Sequence, residues 1–263
     1  MKSVLIVLAH QDDELFLLPK LMELLEEGAQ IKCVYLTTQP NELANVREME
    51  SLKVLSKLGM KPHNVEFLGR RFSILDGALH LKAKQAFDAL LEIAQTSNFH
   101  EFYTPLREGG HQDHDACCLI VASLRSLHFP SAALLGFPLY NGENLIGKIF
   151  ATNSVIKIYR PCSKKVYFSF PVAWTTICAM FQYRSQWLTF LGLGPQFTWY
   201  TLFLRMHYVI DLSNFSVAQL LKSPHQGFLL YERFGRVSCR EVDEFLSEFL
   251  SDIRLISSGS SKK

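Results

Sequence analysis

The first half of the sequence alternates short apolar runs with stretches of helical periodicity. Ser3–Ala9 is uncharged and rich in Val, Ile and Leu, which is typical of a strand buried on both faces. Glu14–Gly28 follows, with leucines at helical spacing and the glycine that often ends a helix. The same order predicts further strands at Gln30–Thr38, Val65–Leu68, Glu101–Thr104 and Ala132–Phe137, and helices at Leu43–Leu58, Leu79–Thr96 and Asp115–Leu127.

This alternation predicts an α/β fold, with a mostly parallel sheet and helices on both of its faces. Ligands of such sheets bind beyond the carboxyl ends of the strands. We therefore expect the functional residues to follow the strands directly.

The alternation weakens after about residue 140. Two charge-free stretches, Val166–Tyr183 and Ser185–Leu204, flank Arg184 and contain all three tryptophans. Three interpretations fit them: buried elements that include a sugar-binding wall, a surface that touches a membrane, or a membrane span. Gly192, Gly194 and Pro195 interrupt helical continuity and disfavour the span.

The predicted organisation is one domain over residues 1–256, with a core at 1–140 and an aromatic-rich C-terminal elaboration at 141–256. Ser238–Ile256 has the pattern of an amphipathic helix, and residues 257–263 are predicted to be a disordered tail. Apolar residues make up 48% of the chain, which is enough for a single buried core. The net charge of +2, with scattered basic residues, argues against a nucleic-acid partner.

The six cysteines include no CxxC pair, and the adjacent Cys117 and Cys118 cannot easily bridge to each other. This pattern favours reduced thiols in a cytoplasmic protein, and peripheral membrane contact remains an alternative. The apolar start Val4–Ala9 is too short for a signal peptide and runs into acidic residues. The pattern makes no prediction of oligomeric state.

Two polar segments follow predicted strands and together supply three histidines and five carboxylates. Ala9–Glu14 reads AHQDDE, and Gly109–Asp115 reads GGHQDHD. Zinc in catalytic sites takes three imidazole or carboxylate ligands and leaves a position for water. His10, Asp13 and one histidine of the second segment meet that need, although such ligands also suit Fe²⁺, Mn²⁺ or Ni²⁺.

The remaining groups of these segments fit acid–base work. Asp12 can take a proton from water, and the second histidine can stabilise an oxyanion. The alternative is that the acidic residues only cap a helix and that the histidines are ordinary loop residues. Because both segments follow strands in a parallel-sheet pattern, the functional interpretation is favoured.

These segments resemble the signatures of a known family. His10–Glu14 resembles the A-H-x-D-D-E motif, and His111–His114 the H-x-D-H motif, of the PIG-L/LmbE-like zinc-dependent N-acetylglucosaminyl deacetylases. Weaker similarities lie at Val46–Glu50 with Leu58-Gly59, at Leu75–Gly77 and at Tyr183–Gln186, so the resemblance spans roughly residues 3–187. Both x positions hold glutamine, Gln11 and Gln112, where proline is common in the family.

The resemblance implies a Rossmann-like fold and hydrolysis of N-acyl groups from N-acetylglucosamine derivatives. It implies His10, Asp13 and His114 as zinc ligands and Asp12 as the general base. It also implies that His111, in its protonated form, polarises the carbonyl, with Asp113 oriented behind it. Arg47, Asp76 and Gln186 are weaker expectations, as structural or substrate-facing residues.

The function predicted from the sequence is therefore deacetylation of an amino sugar, free or conjugated. Its nearest rival is an amidase on the same scaffold that cleaves a larger acyl group or a thiol-conjugate amide. A non-catalytic sugar- or nucleotide-binding protein is a second alternative, disfavoured because no G-x-G-x-x-G follows the first strand. A structural membrane-associated protein is a third.

Overall fold

The computed structural model describes residues 1–222 and 229–260, and its centre is a seven-stranded sheet. The strands are β1 Ser3–Leu8, β2 Gln30–Tyr35, β3 Val65–Phe67, β4 Glu101–Pro105, β5 Ala133–Phe137, β6 Tyr140–Asn141, β7 Ala151–Thr152, β8 Ser163–Tyr167 and β9 Met206–Asp211. The strand order in the large sheet is β3-β2-β1-β4-β5-β9-β8, and β6 pairs with β7 separately. The strands β1 to β5 are parallel, whereas β9 and β8 extend the sheet in antiparallel fashion.

Helices cover both faces of this sheet. They are α1 Leu18–Glu26, α2 Glu42–Lys57, α3 Leu68–Phe72, α4 Ala83–Ala94, α5 Gln112–His128, α6 Phe170–Met180, α7 Trp187–Thr198, α8 Val217–Leu221, α9 Leu230–Arg233 and α10 Cys239–Ser260. A π-helical segment, Trp199–Leu204, continues α7. The predicted α/β class, with a mostly parallel sheet between helices, is confirmed.

Strand β1 lies in the middle of the molecule and separates two hydrophobic cores. Leu5, Val7 and Ala9 point to one core, which also contains side chains of α4, α5 and α10. Val4, Ile6 and Leu8 point to the other, which contains side chains of α1, α6 and α7. Successive residues of a strand face opposite sides, so an uncharged run such as Ser3–Leu8 is needed to fill both cores.

Several boundaries differ from the prediction. The first predicted helix divides into a 3₁₀ turn, Asp13–Phe16, and α1. Helix α5 begins at Gln112 instead of Asp115, so half of the second polar segment lies in its first turn. The sequence reading missed β8 and β9, because β8 has lysines at Lys164 and Lys165, as an exposed edge strand does, and its pairing with β9 spans a long insertion.

The C-terminal elaboration is more helical and more exposed than predicted. Helix α10 continues to Ser260, so residues 257–260 are helical, whereas 261–263 lie outside the described residues. The charge-free stretches form α6, α7 and the π-helical segment, with one side buried and many large apolar side chains exposed. Within the described ranges, no helix is both long and apolar enough to cross a bilayer.

All six cysteines are free in the structure. Cys33, Cys117 and Cys118 are buried among apolar side chains, as the prediction of packed thiols requires.

A buried cation, Arg107, links helix α10 to the loop that follows strand β4. Arg107 follows β4, is fully buried and donates to the Asp243 carboxylate of α10 at 2.5 Å. Among the described residues, two of its other nitrogens, Nε and Nη1, have no hydrogen-bond partner. The charge of nearby Asp115 and the hydrogen bond to Asp243 together offset the cost of burying this cation.

We expect Asp243→Ala to lower the free energy of unfolding by about 1–3 kcal/mol, because it leaves a buried donor of Arg107 unsatisfied. Urea denaturation followed by circular dichroism measures the loss. Glu244→Ala is the matched control: it removes an exposed pair with Arg240 on the same helix and should cost at most about 0.5 kcal/mol. Equal losses for the two variants would contradict this role of Arg107.

Candidate active site

The two polar segments meet at the carboxyl edge of the sheet because β1 and β4 are parallel neighbours. His10 follows β1 directly, and the loop after β4 leads to His111 at the start of α5. The chain leaves β1 towards β2 on one side and reaches β4 on the other. This is the switch point where ligands bind in such sheets.

Three buried side chains bring their ligand atoms together at this edge. His10 Nδ1 lies 3.1 Å from His114 Nε2, and His114 Nε2 lies 3.1 Å from Asp13 Oδ1. The remaining pair, His10 Nδ1 and Asp13 Oδ2, is 3.7 Å apart. Although burial opposes ionisation, the adjacent His114 and His10 hold the pKa of Asp13 well below its usual range. These are the three residues predicted as metal ligands.

The spacing of these atoms fits a metal ion. Atoms bound about 2.0–2.1 Å from a tetrahedral zinc lie roughly 3.3–3.4 Å from one another, which is close to the three observed distances. His10, Asp13 and His114 therefore form a group that can hold a divalent ion. Their donor set of two imidazoles and one carboxylate is one that zinc uses in hydrolases.

A second group of possible ligands shares His10 and adds Asp76, His111 and Asp113. The Asp113 carboxylate, however, is already occupied by the backbone. Its Oδ2 accepts from the Gly77 amide at 2.6 Å, and its Oδ1 accepts from the Leu79 amide at 3.0 Å. The group of His10, Asp13 and His114 is therefore the better metal site.

The position of Asp113 corrects one expectation. Its carboxylate was expected behind His111, but it lies 3.0 Å from His10 Nε2. A ligand histidine commonly donates its second ring N–H to a carboxylate, which fixes the ring and its tautomer. Asp113 therefore orients His10, whose Nδ1 is left to face His114 and Asp13.

Asp12 occupies a strained turn beside the three ligands. Its φ of 124° lies in the region that favours glycine, and its amide donates to Glu14 at 3.0 Å. Glu14 in turn accepts from the Tyr183 hydroxyl, so the third acid of the motif holds the turn in place. Burial, which Arg47 offsets only in part, raises the pKa of Asp12 to about 7.

His111 caps helix α5 with its ring. Its Nδ1 accepts from the Asp113 amide at 3.2 Å, which leaves Nε2 to carry the proton of the neutral ring. Burial holds the pKa of His111 well below its usual value. The structure thus favours a neutral ring with an Nε2–H donor, instead of the protonated ring that was expected. That N–H lies 3.6 Å from Asp76.

The three weaker candidates also reach the site. Arg47 donates to the Gln11 carbonyl at 2.6 Å and to Asp12 Oδ1 at 3.1 Å. With its amide oxygen turned towards Arg47, Gln186 accepts from Nε at 2.9 Å and from Nη1 at 3.3 Å. Asp76 Oδ1 lies 3.2 Å from His10 Nε2. All three line the same pocket as the predicted ligands.

The pocket has walls that the sequence did not reveal. They consist of Phe16, Leu139, Tyr140, Thr189, Phe190, Leu193 and Arg236. The buried carboxylate of Glu108 positions the Tyr140 wall, because it accepts the amides of Leu139 at 2.7 Å and Tyr140 at 2.9 Å. No local motif marks these residues, since long-range packing alone brings them to the site. A roomier cleft around Ser3 and Gln30, at the amino ends of the strands, contains none of the predicted site residues.

The two glutamines that depart from the family pattern tie the motif loops to neighbouring backbone. Gln11 Nε2 donates to the Thr37 carbonyl at 2.9 Å, and Gln112 Nε2 to the Gly77 carbonyl at 3.4 Å. Both glutamine amide groups therefore donate to backbone carbonyls and not to the predicted metal ligands. In the family, proline at these positions would restrict the loops through its fixed φ. In this chain, side-chain hydrogen bonds of the two glutamines hold the loops instead.

The amino-terminal part of the chain matches a known family. Residues 5–124 match the family described as PIG-L: GlcNAc-PI de-N-acetylase. The matched range contains both polar segments, together with Arg47 and Asp76, and ends before Gln186. No curated protein sequence matches the chain.

Solved structures share the fold at low sequence identity. The zinc-inhibited form of teicoplanin deacetylase is similar with a TM-score of 0.60 at 11% identity, covering 80% of this chain and 98% of that one. The N,N'-diacetylchitobiose deacetylase from Pyrococcus horikoshii has a TM-score of 0.57 at 15% identity, covering 82% and 86%. A 4-carboxy-2-hydroxymuconate hydratase from Pseudomonas putida KT2440 has a TM-score of 0.54 at 14% identity, covering 74% and 84%. The hydratase shows that the fold alone does not fix the reaction.

The loop before His111 depends on a glycine. A Cβ at Gly110 would lie 1.9 Å from the Tyr140 carbonyl oxygen, so Gly110→Ala must push the His111 loop and the pocket wall apart. We expect a loss of about 1–3 kcal/mol in the free energy of unfolding, measured by urea denaturation. Gly194→Ala is the control, because its nearest neighbours lie 3.9 Å or more from the added Cβ and Ala favours the helix. A Gly110→Ala protein as stable as wild type would contradict the close approach.

Proposed function

We propose that this chain, whose residues 5–124 belong to the PIG-L family, is a zinc-dependent hydrolase that removes the N-acetyl group of an amino sugar. The substrate is of the N-acetylglucosamine type, free or conjugated. One observation supports this most: the ligand atoms of His10, Asp13 and His114 lie 3.1–3.7 Å apart at one wall of a pocket that also contains Asp12.

His10, Asp13 and His114 would hold the zinc ion, with the Asp113 carboxylate fixing the ring of His10. When bound, zinc supplies Lewis-acid chemistry, lowering the pKa of a water molecule towards ~7 and polarising the carbonyl. Fe²⁺, Mn²⁺ or Ni²⁺ are the alternative ions for the same donors.

Asp12 would act as the general base and then as the acid. A general base works best when its pKa lies near the working pH, and the pKa of about 7 meets that condition. Asp12 would take a proton from the attacking water and return it to the departing sugar nitrogen. Arg47, 3.1 Å from Oδ1, would hold the carboxyl group in place for both transfers.

His111 would stabilise the negative charge that develops on the acetyl oxygen. Its neutral ring presents an Nε2–H, and its Nδ1 is fixed by the Asp113 amide, so the donor is oriented before substrate arrives. Asp76 lies between His10 and His111 and would hold the two rings in their relative orientation. Collapse of the tetrahedral intermediate then gives acetate and the free amine.

The first test concerns the metal. We expect about one zinc per chain and loss of activity with a chelator, because three protein ligands leave a position for water. Elemental analysis and an assay for free amine on a panel of N-acetylated sugars, nucleotide sugars and glycolipids measure both. Active protein that holds no divalent ion and ignores chelators would refute zinc dependence. Release of a larger acid in place of acetate would favour the amidase alternative.

The second test separates the roles of the four site residues. Asp13→Ala and His114→Ala should lose zinc and activity together, because each removes a ligand. Asp12→Asn should keep its zinc while the rate falls by roughly 10²–10⁴-fold, the usual worth of general acid–base catalysis. His111→Ala should also keep zinc and lose roughly 10²–10³-fold in rate.

These four variants discriminate between catalysis and helix capping. If the acidic residues only capped a helix, both aspartate variants would lose about 1 kcal/mol of stability and keep their turnover. An Asp12→Asn protein with normal turnover, or an Asp13→Ala protein with full zinc, would contradict the assigned roles. Urea denaturation of the same preparations shows whether each variant is folded.

A further inference from the structure

Charge is unevenly divided along this chain. Between Glu143 and Asp211, 67 consecutive residues contain no acidic side chain. They contain seven basic ones, namely Lys148, Lys157, Arg160, Lys164, Lys165, Arg184 and Arg205. Of these seven, only Arg160 pairs with a carboxylate within the part of the chain that the structure describes. Residues 144–210 are therefore strongly cationic, although the whole chain has a net charge of only +2.

The outer side of α7 and its π-helical continuation is apolar where a water-facing helix is normally charged. Leu188, Leu191, Trp199 and Phe203 recur along it at helical spacing and are between 54% and 67% exposed. The opposite side is buried by Leu193 and by other apolar residues of the core. This pair of segments thus has hydrophobic side chains on both of its sides, one side buried in the core and the other exposed.

Two neighbouring segments extend the same kind of surface. Helix α6, which packs against the π-helical segment, exposes Phe170, Trp174 and Phe181. The loop before β7 exposes Ile146 and Ile149 and is held to α7, because Gln196 donates to the Phe150 carbonyl at 3.1 Å. We call these exposed side chains the apolar face: Ile146, Ile149, Phe170, Trp174, Phe181, Leu188, Leu191, Trp199 and Phe203.

The apolar face and the active-site pocket share helix α7. Helix α7 contributes Phe190 and Leu193 to the pocket lining, while Leu188 and Leu191 of the same helix point to solvent. Whatever covers the apolar face therefore also lies beside the pocket.

From these observations we propose that the apolar face docks on the surface of an anionic lipid bilayer. Exposed Trp and Phe side chains suit the headgroup region, where an apolar ring can leave water without spanning the membrane. Basic residues at the edges, such as Arg184 and Arg205, attract anionic headgroups and can reach them while their stems stay apolar. Residues 144–210 themselves contribute no acidic side chain that such headgroups would repel.

A second copy of this chain is a weaker candidate for the same surface. Self-association through the apolar face would bring two strongly cationic segments together without acidic residues from either to offset them. Anionic lipid supplies the opposite charge as well as the apolar phase. The proposal concerns binding alone, so it can fail while the proposed deacetylation stands.

The test is vesicle flotation of the full chain without substrate. The probes are vesicles of phosphatidylcholine alone and of phosphatidylcholine mixed with phosphatidylserine. We expect binding to the mixed vesicles at least about tenfold tighter than to the neutral ones, because several basic residues near an anionic surface each strengthen binding. Salt should weaken this preference by screening the charges.

Two pairs of substitutions test the residues. Leu191→Ser with Phe203→Ser should lower affinity for mixed vesicles by at least about tenfold, because it removes two apolar side chains from the interface. Met49→Ser with Leu81→Ser, two exposed apolar residues elsewhere, is the matched control and should change nothing. Lys164→Glu with Arg205→Glu should abolish the preference for anionic lipid, whereas Lys53→Glu with Lys57→Glu should preserve most of it.

The results of these experiments show whether an anionic bilayer or a second copy of the chain covers the apolar face. Failure to bind mixed vesicles, or equal binding by wild type and both test pairs, overturns the proposal. So does a dimer in solution that Leu191→Ser with Phe203→Ser dissociates while vesicle binding is absent, since a second copy then covers the face. Should the serine pair unfold, as thermal denaturation would show, the charge pair decides the question.

Discussion

The carboxylate of Asp113 is the point on which the geometry of this site depends. It is fully buried, and it accepts from the backbone of Gly77 and Leu79 while it lies against the ring of His10. Three separate stretches of chain thus meet at one side chain: the end of β1, the loop before α4 and the first turn of α5. A buried charge is tolerated only with such partners, so Asp113 fixes the ring of His10 and the loop that carries Asp76 together.

The adjacent carboxylates of Asp12 and Asp13 have pKa values shifted in opposite directions. Asp13 faces two histidines, which hold its pKa low, whereas burial raises the pKa of Asp12 to about 7 because Arg47 and His10 offset it only in part. Environment, not residue type, separates a ligand from an acid–base group. The backbone of Asp12 is strained, and Glu14 holds this turn by accepting a hydrogen bond from the Asp12 amide.

The features of this structure that could be predicted from the sequence are those set by local interactions, and the features that could not are set by contacts between distant parts of the chain. The five parallel strands and the two motifs were predicted, because a buried strand and a metal ligand leave local signals in residue type and spacing. Strands β8 and β9 were not, since their pairing is set by contacts across a long insertion. The partner of Asp113 was also missed, because the family resemblance implied His111 whereas the fold places the carboxylate against His10. The pocket walls at Tyr140 and Phe190 have no local signal at all.

The bond between Arg107 and Asp243 has a consequence for how the protein is made. Arg107 lies four residues before His111, in the loop that leads from β4 to the site, yet its partner belongs to the last helix. During synthesis the amino-terminal half forms with every predicted metal ligand and with Asp115 near Arg107, but without the hydrogen bond from Arg107 to Asp243. Chains that end before α10 should therefore form their sheet, while the loop before His111 gains its full set of contacts only once α10 packs against it.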